Sequence, residues 1–237
     1  MSTMVTIHWF RQDLRLSDNP ALFAAAIKGL VIPIYILDDI NSATYKMGAA
    51  SRCWLHQSLI ALNSSLNGKL LVFSGDPKVI LSELIEKHNV AAVNWNRCYE
   101  PWRIARDTQI KQDLLSKGIM VNTFNGSLLW EPWEVLKSDK TPYRVFTPFY
   151  HNGCLKATEP RVPLDKPNQI QFFLNDQQTN QSDIEKLGLL PQKNWSSEII
   201  ANWSIGELAA QQQLVDFMAE GISDYKEGRD CPAKNAG

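Results

Sequence analysis

Short apolar runs rich in β-branched and aromatic residues alternate with longer helix-like stretches across the first half of this chain, and that alternation constrains its fold more than any other feature. The runs span residues 5–10, 30–37, 70–74, 91–94 and 120–124. Strands separated by helical crossovers pair in parallel, with helices covering both faces. The pattern therefore predicts an α/β fold on a doubly wound, five-stranded, Rossmann-like parallel sheet. The intervening stretches carry helix punctuation. Residues 20–27 follow Asp18 and Asn19, two cap candidates, and residues 77–88 open on Asp76-Pro77, a cap followed by proline at the first helical position. Residues 48–66 place Trp54, Leu55, Ser58, Leu59 and Leu62 on one helical face, and residues 101–117 repeat the pattern before Gly118 stops it.

Beyond about Asn125 the alternation gives way to Trp130, Pro132, Trp133, Pro142, Pro148 and Phe149, an aromatic and proline-rich loop that wraps the sheet domain. From about residue 157 to 183, proline, asparagine and glutamine displace apolar residues, the composition of an inter-domain linker without regular structure. Residues 204–221 are predicted as a last amphipathic helix, with Ser204 as cap and Glu207 at the capping-box position. The implied organisation is an α/β domain over residues 1–150, a linker over 151–203, and the opening of a further helical domain over 204–237.

With 24 Lys+Arg against 25 Asp+Glu, the chain offers no general attraction to a phosphate backbone, so any nucleic-acid contact must be local or lie elsewhere. The four cysteines, Cys53, Cys98, Cys154 and Cys231, form no C-x-x-C pair and have no histidine at ligand spacing, which argues against a disulfide framework or a zinc site. No signal peptide is evident, and no segment reaches the ~20 apolar residues of a membrane span. A soluble, cytoplasmic, monomeric chain is expected.

In open parallel sheets, ligands lie beyond the carboxyl ends of the strands, where the strand order reverses. That rule selects the loops after the strands. The first, residues 11–19, packs Arg11, Asp13, Arg15 and Asp18 between a strand and a helix start. It can hold an anionic cofactor through bidentate hydrogen bonds and the helix N-terminus, or form an internal Arg–Asp lattice that ties the loop down. Neither G-x-G-x-x-G nor G-x-x-x-x-G-K-[ST] occurs, so no dinucleotide fingerprint or P-loop is present, and Gly75-Asp76-Pro77 reads as a turn and helix cap. In the fourth loop, Glu100, Trp102 and Arg103 suit a flat conjugated ligand with polar edges, because rings stack and charges fix orientation. Arg106 with Asp107 reads as a solvated helix face. His8, His56, His88 and His151 pair with no serine or cysteine and are read as structural. A cleft lined by Arg11, Glu100 and Trp102 is predicted.

The opening run His8-Trp9-Phe10-Arg11-Gln12-Asp13-Leu14-Arg15-Leu16-Ser17-Asp18-Asn19 closely resembles the start of the photolyase/cryptochrome family, whose members follow a first strand with W-F-R-x-D-L-R-x-x-D-N. Further matches stand in order: Gly75-Asp76-Pro77, Tyr99-Glu100-Pro101, the Tyr143-Arg144-Val145-Phe146-Thr147-Pro148-Phe149 run, and a final run from Tyr225 through Arg229 to Ala233. The resemblance spans the chain and is to the amino-terminal antenna domain of a bacterial-type deoxyribodipyrimidine photolyase. In that family an antenna pigment passes light energy to reduced FAD. The excited flavin gives an electron to a cyclobutane pyrimidine dimer flipped out of damaged DNA; the dimer splits and the electron returns.

The resemblance also implies site residues. Arg11, Asp38, Arg52, Glu100 and Arg103 stand at positions compatible with a deazaflavin-type antenna site, while Trp102 can stack a folate or a flavin. Folate-binding members carry a histidine ahead of the Met47 position and an Asn-Glu pair where this chain has Trp102-Arg103; here the first is Tyr45. The pigment is thus left open among deazaflavin, folate and flavin, and Arg52 is equally well read as a solvated helix charge. Tyr225 is the one FAD contact carried over. In the family the final run leads into an all-helical FAD domain, whereas this sequence stops at Gly237, so the chain alone is expected to be inactive, with weak or no DNA binding and no catalytic residue of its own. The alternatives are a cryptochrome-type blue-light photoreceptor; a free-standing nucleotide-binding α/β module, against which the final run argues; and a structural interaction module with its pocket filled by side chains.

Overall fold

The computed structural model describes residues 4–174 and 181–231. Five strands, β1 (Met4–Phe10), β2 (Gly29–Leu37), β3 (Leu71–Ser74), β4 (Ala92–Asn96) and β5 (Met120–Phe124), pair in parallel in the order β3-β2-β1-β4-β5. Helices α1 (Pro20–Ala26), α2 (Ala49–Ser65), α3 (Pro77–His88) and α4 (Pro101–Ser116) make the crossovers. The chain steps outward from β1 to β3, then returns to lay β4 on the other side of β1. The strand order therefore reverses between β1 and β4.

Alternation along the strands divides the core into two layers. Ile7, Trp9, Ile34, Val93 and Trp95 pack with Leu81 and Leu84 of α3 and Ile110 and Leu114 of α4. Phe10, Val31, Tyr35 and Leu37 pack with Leu22 of α1 and Leu55, Leu59 and Leu62 of α2. A helix layer on each face satisfies a parallel sheet that must be buried on both sides. The predicted stops and starts are where the local chemistry puts them. Asn19, not Asp18, caps α1 by accepting the Leu22 N–H at 3.1 Å ahead of Pro20, and Asp76 caps α3 by accepting the Lys78 N–H at 3.0 Å ahead of Pro77. Gly118, at φ +77°, follows α4 in a left-handed conformation that suits glycine.

The second half departs from the linker expectation. After α5 (Phe146–Pro148), a single turn in the wrapping loop, the strand β6 (Gln171–Phe172) pairs in parallel with Leu30 and Val31 of β2. Next comes α6 (Gln181–Glu185), and Ile184, Leu187 and Leu189 are buried in the α1/α2 layer. A few aliphatic anchors in polar surroundings are enough to fasten this stretch to the domain. Beyond α7 (Ser197–Ala201), helix α8 (Glu207–Asp216) continues through a π turn, Phe217–Gly221, and a 3-10 turn, Ile222–Asp224, into α9 (Tyr225–Gly228). The helix starts two residues later than a Ser204 cap requires: its N-cap is Gly206, which has no side chain to cap with. Pro232 and Ala233, which end the family-like run, lie outside the described residues. Among the described residues, no helix is long and apolar enough to cross a membrane.

Candidate functional site

A cleft of about 1010 Å³ opens at the carboxyl ends of β1 and β4, where the strand order reverses. The β1–α1 loop contributes Arg11, Gln12, Leu14, Arg15, Ser17 and Asp18, and the start of α4 contributes Glu100, Trp102, Arg103 and Arg106. Tyr35, Asp38, Tyr45 and Met47 line it from β2 and the loop after it, and Trp54, Leu55 and Ser58 from α2. Helix α8 supplies the outer wall with Glu207, Ala210, Gln211 and Leu214. The size suits a cofactor-like ligand, and several aromatic faces converge on one space.

The sheet side of the cleft is a lattice of paired charges. Arg106 donates to Asp38 at 2.8 Å and to Asp107 at 2.7 Å, with all three side chains largely buried. Arg11 joins the same Asp107 and also donates to the Asn96 carbonyl. The guanidiniums interleave with indoles: Arg103 lies 4.7 Å and Arg106 5.2 Å from the Trp102 ring centre, while Arg106 and Arg11 lie 5.0 and 5.2 Å from Trp9. Buried charges are tolerable only when paired in this way, and cation–π contacts fix the rings that the cations cover. At the mouth, Gln12 donates to Glu100 at 2.8 Å and Arg103 sits 3.4 Å from the same carboxylate.

These neighbours set the protonation states. Burial pushes the Tyr35 hydroxyl up to about 12, with Asp39 adding to the rise and Arg103 and Arg52 opposing it. Burial alone would raise Glu100 and Asp18, but hydrogen bonds and nearby arginines outweigh it and hold both carboxyls below their usual range. Burial would lower Arg106, yet Asp107 and Asp38 raise it instead. Tyr35 is thereby held as the neutral phenol, and Glu100, Asp18 and Arg106 are held charged. None of the four is suited to proton transfer near pH 7, where a general acid or base needs a pKa near the working pH.

The DNA photolyase family model matches residues 6–186. The chain belongs to the DNA photolyase family. It is 39% identical over 241 residues to a deoxyribodipyrimidine photo-lyase of Agrobacterium fabrum, covering 100% of this chain and 49% of that protein. It is 32% identical over 227 residues to Cryptochrome-2 of Arabidopsis thaliana, covering 93% of this chain and 37% of that one. The crystal structure of a bacterial class III photolyase from Agrobacterium tumefaciens superposes with a TM-score of 0.90 at 39% identity, over 100% of this chain and 49% of that one. The chain thus spans about half the length of these photolyase relatives.

Within this family frame, the residues singled out from sequence fall into three groups. Glu100, Trp102, Arg103, Arg11 and Asp38 converge on the cleft. Of these, Arg11 and Asp38 are engaged in the internal lattice, and Asp38 also accepts the Ile40 and Asn41 N–H groups at 3.1 and 2.8 Å. Arg52 stands behind the lining, bonded to Asp39 at 2.6 Å and to the Met47 carbonyl at 2.9 Å, where it braces the loop that carries Met47 and Tyr45. Tyr225 lies away from the cleft on α9, half exposed, with its ring 5.7 Å from Phe217.

Three features escaped the sequence. Arg106 and Asp107 are not a solvated face: at the first turns of α4 they turn inward against Trp9 and Asp38. Trp54 and Ser58 leave the buried stripe of α2 and look into the cleft. Glu207, expected at a capping-box position, instead bonds across the molecule. Its Oε2 accepts the Leu16 N–H at 2.7 Å and its Oε1 the Ser17 N–H at 2.8 Å.

Proposed function

We propose that this chain is the light-harvesting half of a deoxyribodipyrimidine photolyase, whose cleft holds a flat conjugated antenna pigment of the deazaflavin, folate or flavin class. The observation that carries the proposal is the large cleft at the strand-order reversal, lined by aromatic rings and paired charges, in a chain of this family. A bound pigment absorbs near-ultraviolet or blue light and hands the energy to FAD elsewhere in the whole protein. What this chain must do is hold a ring rigidly and keep water from it. Trp102, held by cation–π contacts with Arg103 and Arg106, lines the cleft as an aromatic wall, and Tyr45, Trp54 and Leu214 close around the same space. Glu100 and Arg103 stand at the mouth, where they orient polar ring edges. Arg11, Asp38 and Arg52 act from behind, holding the loops that present these groups. Tyr225 is proposed as the FAD contact that this chain supplies.

For the whole protein we propose light-driven repair of cyclobutane pyrimidine dimers in DNA, as the name of the Agrobacterium relative indicates. The similarity to Cryptochrome-2 favours a second reading, blue-light signalling without repair. Two experiments test these proposals. The purified chain is titrated with riboflavin, 5-deazariboflavin and methenyltetrahydrofolate while visible absorption is followed; saturable binding of at least one is expected. The protein expressed from its complete natural reading frame is then illuminated with dimer-containing DNA. Loss of dimers supports repair, and flavin photoreduction without dimer loss supports the signalling reading.

A further inference from the structure

The Leu16 and Ser17 amides lie in the turn that follows β1 and leads into α1. In doubly wound folds, that turn and the helix start behind it are where a ligand's phosphate is received, because backbone N–H groups and the helix dipole converge there. In this chain one carboxylate occupies both amides. Glu207, nearly the whole length of the described chain away, accepts them at 2.7 and 2.8 Å, and Gln211 steadies it from 3.3 Å. Gly206 delivers Glu207 to that position. Its φ of +114° is a conformation few side chains tolerate, and a Cβ there would come within 2.7 Å of the Ala61 Cβ on α2.

Most of the other donors near that turn are engaged as well, while Arg103, 3.4 Å from Glu100, makes no hydrogen bond through its Nε. At the start of α1, the Ala21 N–H goes to the Asn96 side chain at 3.2 Å and the Leu22 N–H to Asn19 at 3.1 Å. Arg11 and Arg106 are held by Asp107 and Asp38, and Arg15 by the carbonyls of Ser17, Asp18 and Gly126. The charged residues lining the cleft are four arginines and five carboxylates, so its formal charge is negative despite the arginine-rich loop.

Building on the proposal that the cleft holds a pigment, we propose that Glu207 is a specificity determinant: an internal anion that occupies the fold's phosphate position, so that the cleft accepts an unphosphorylated ring and rejects a phosphorylated one. The carboxylate acts twice. It removes two donors a phosphate would need, and it places a like charge against any phosphate that approaches, and repulsion of that kind is a common source of selectivity.

Riboflavin and FMN share one ring and differ by one phosphate, which makes them the probes. Wild type, Glu207→Ala and Glu207→Gln are each titrated with both, and each is melted in inorganic phosphate and in chloride at matched ionic strength. Wild type should bind riboflavin more tightly than FMN. Glu207→Ala should shift the FMN-to-riboflavin affinity ratio by about tenfold toward FMN, the scale of one charge-assisted hydrogen bond, and should gain a phosphate-dependent rise in melting temperature that wild type lacks. Glu207→Gln, which keeps the length that docks α8 but not the charge, should fall between. A wild-type preference for FMN overturns the proposal, as does a folded Glu207→Ala with no change in ratio and no gain from phosphate. If no variant binds either flavin, the pigment proposal is what fails for flavins, and the melting comparison alone decides the role of Glu207.

Discussion

Where the sheet side of the cleft is assembled from buried, mutually paired charges, its α8 side rests on a helix with no buried residue. Arg106, Asp38 and Asp107 answer one another in low-dielectric surroundings. By contrast, α8 is tied down by the two bonds of Glu207, the close approach of Gly206 to Ala61, and Trp203 against Trp54 at 5.6 Å. The lattice is an integral part of the folded core, because breaking it strands charges away from water. The α8 wall can loosen while the sheet domain stays intact. In the proposed pigment site, the lattice side would hold the ring and the outer wall would select among ligands.

The comparison breaks first at Arg106. Replacing it in Arg106→Leu leaves the buried Asp38 carboxylate without its cationic partner and Asp107 with Arg11 alone, so a loss of about 3–5 kcal/mol is expected in urea unfolding. A loss below about 1 kcal/mol would mean that the lattice is no more structural than the outer wall.

Next in size is the pH dependence of the layer behind the lattice. His8 is fully buried on β1, its ring 4.2 Å from Phe10, and neither ring nitrogen has a protein partner. Burial lowers its pKa to about 4, with Asp13 opposing and Arg11 assisting. A folded pKa below the unfolded 6.5 means that the unfolded chain binds the extra proton as pH drops. Stability is therefore full above about pH 6.5, declines toward pH 4, and loses no more from this residue below that. The decline amounts to at most about 3 kcal/mol. In His8→Leu the part due to this residue should vanish, seen as a smaller difference between urea midpoints at pH 7 and pH 4.5. An unchanged difference would place the pH sensitivity elsewhere, for example in His56 or His88, which burial shifts in the same direction.

Smaller again is Gly206→Ala. Strain at positive φ and the collision with Ala61 should cost about 1–2 kcal/mol locally. Hydrogen exchange should quicken in α8 and stay unchanged in β1 and β4. If exchange quickens everywhere, α8 is part of the same cooperative unit as the sheet and the contrast between the walls is wrong.

How much of this could be read from the residues follows from how local each determinant is. All five strands, the caps of α1 and α3 and the stop at Gly118 follow from period, proline and cap chemistry within a few residues of where they act. The lattice does not. Arg106 and Asp107 sit on α4, mostly exposed with only Ile110 and Leu114 also buried, and they turn inward only because Asp38 and Trp9 arrive from β2 and β1. The part of the chain after residue 157 misled for the related reason that composition averages over a window. A polar stretch dilutes Ile184, Leu187 and Leu189, while the sheet provides the surface that buries them. Glu207 had a helix-capping position in sequence, but its acceptor oxygens found stronger donors in a loop that only the fold brings near.

The central claim is that the cleft grips a flat ring against Trp102. It is tested most directly by titrating wild type and Trp102→Ala with riboflavin, 5-deazariboflavin and methenyltetrahydrofolate. Trp102 is partly exposed at the start of α4, so the substitution should leave the fold intact. The expected result is saturable, one-to-one binding of at least one compound to wild type, weakened about tenfold by Trp102→Ala, as the loss of an aromatic stacking partner implies. Binding that ignores the substitution, or a wild type that binds none of the three, would contradict it.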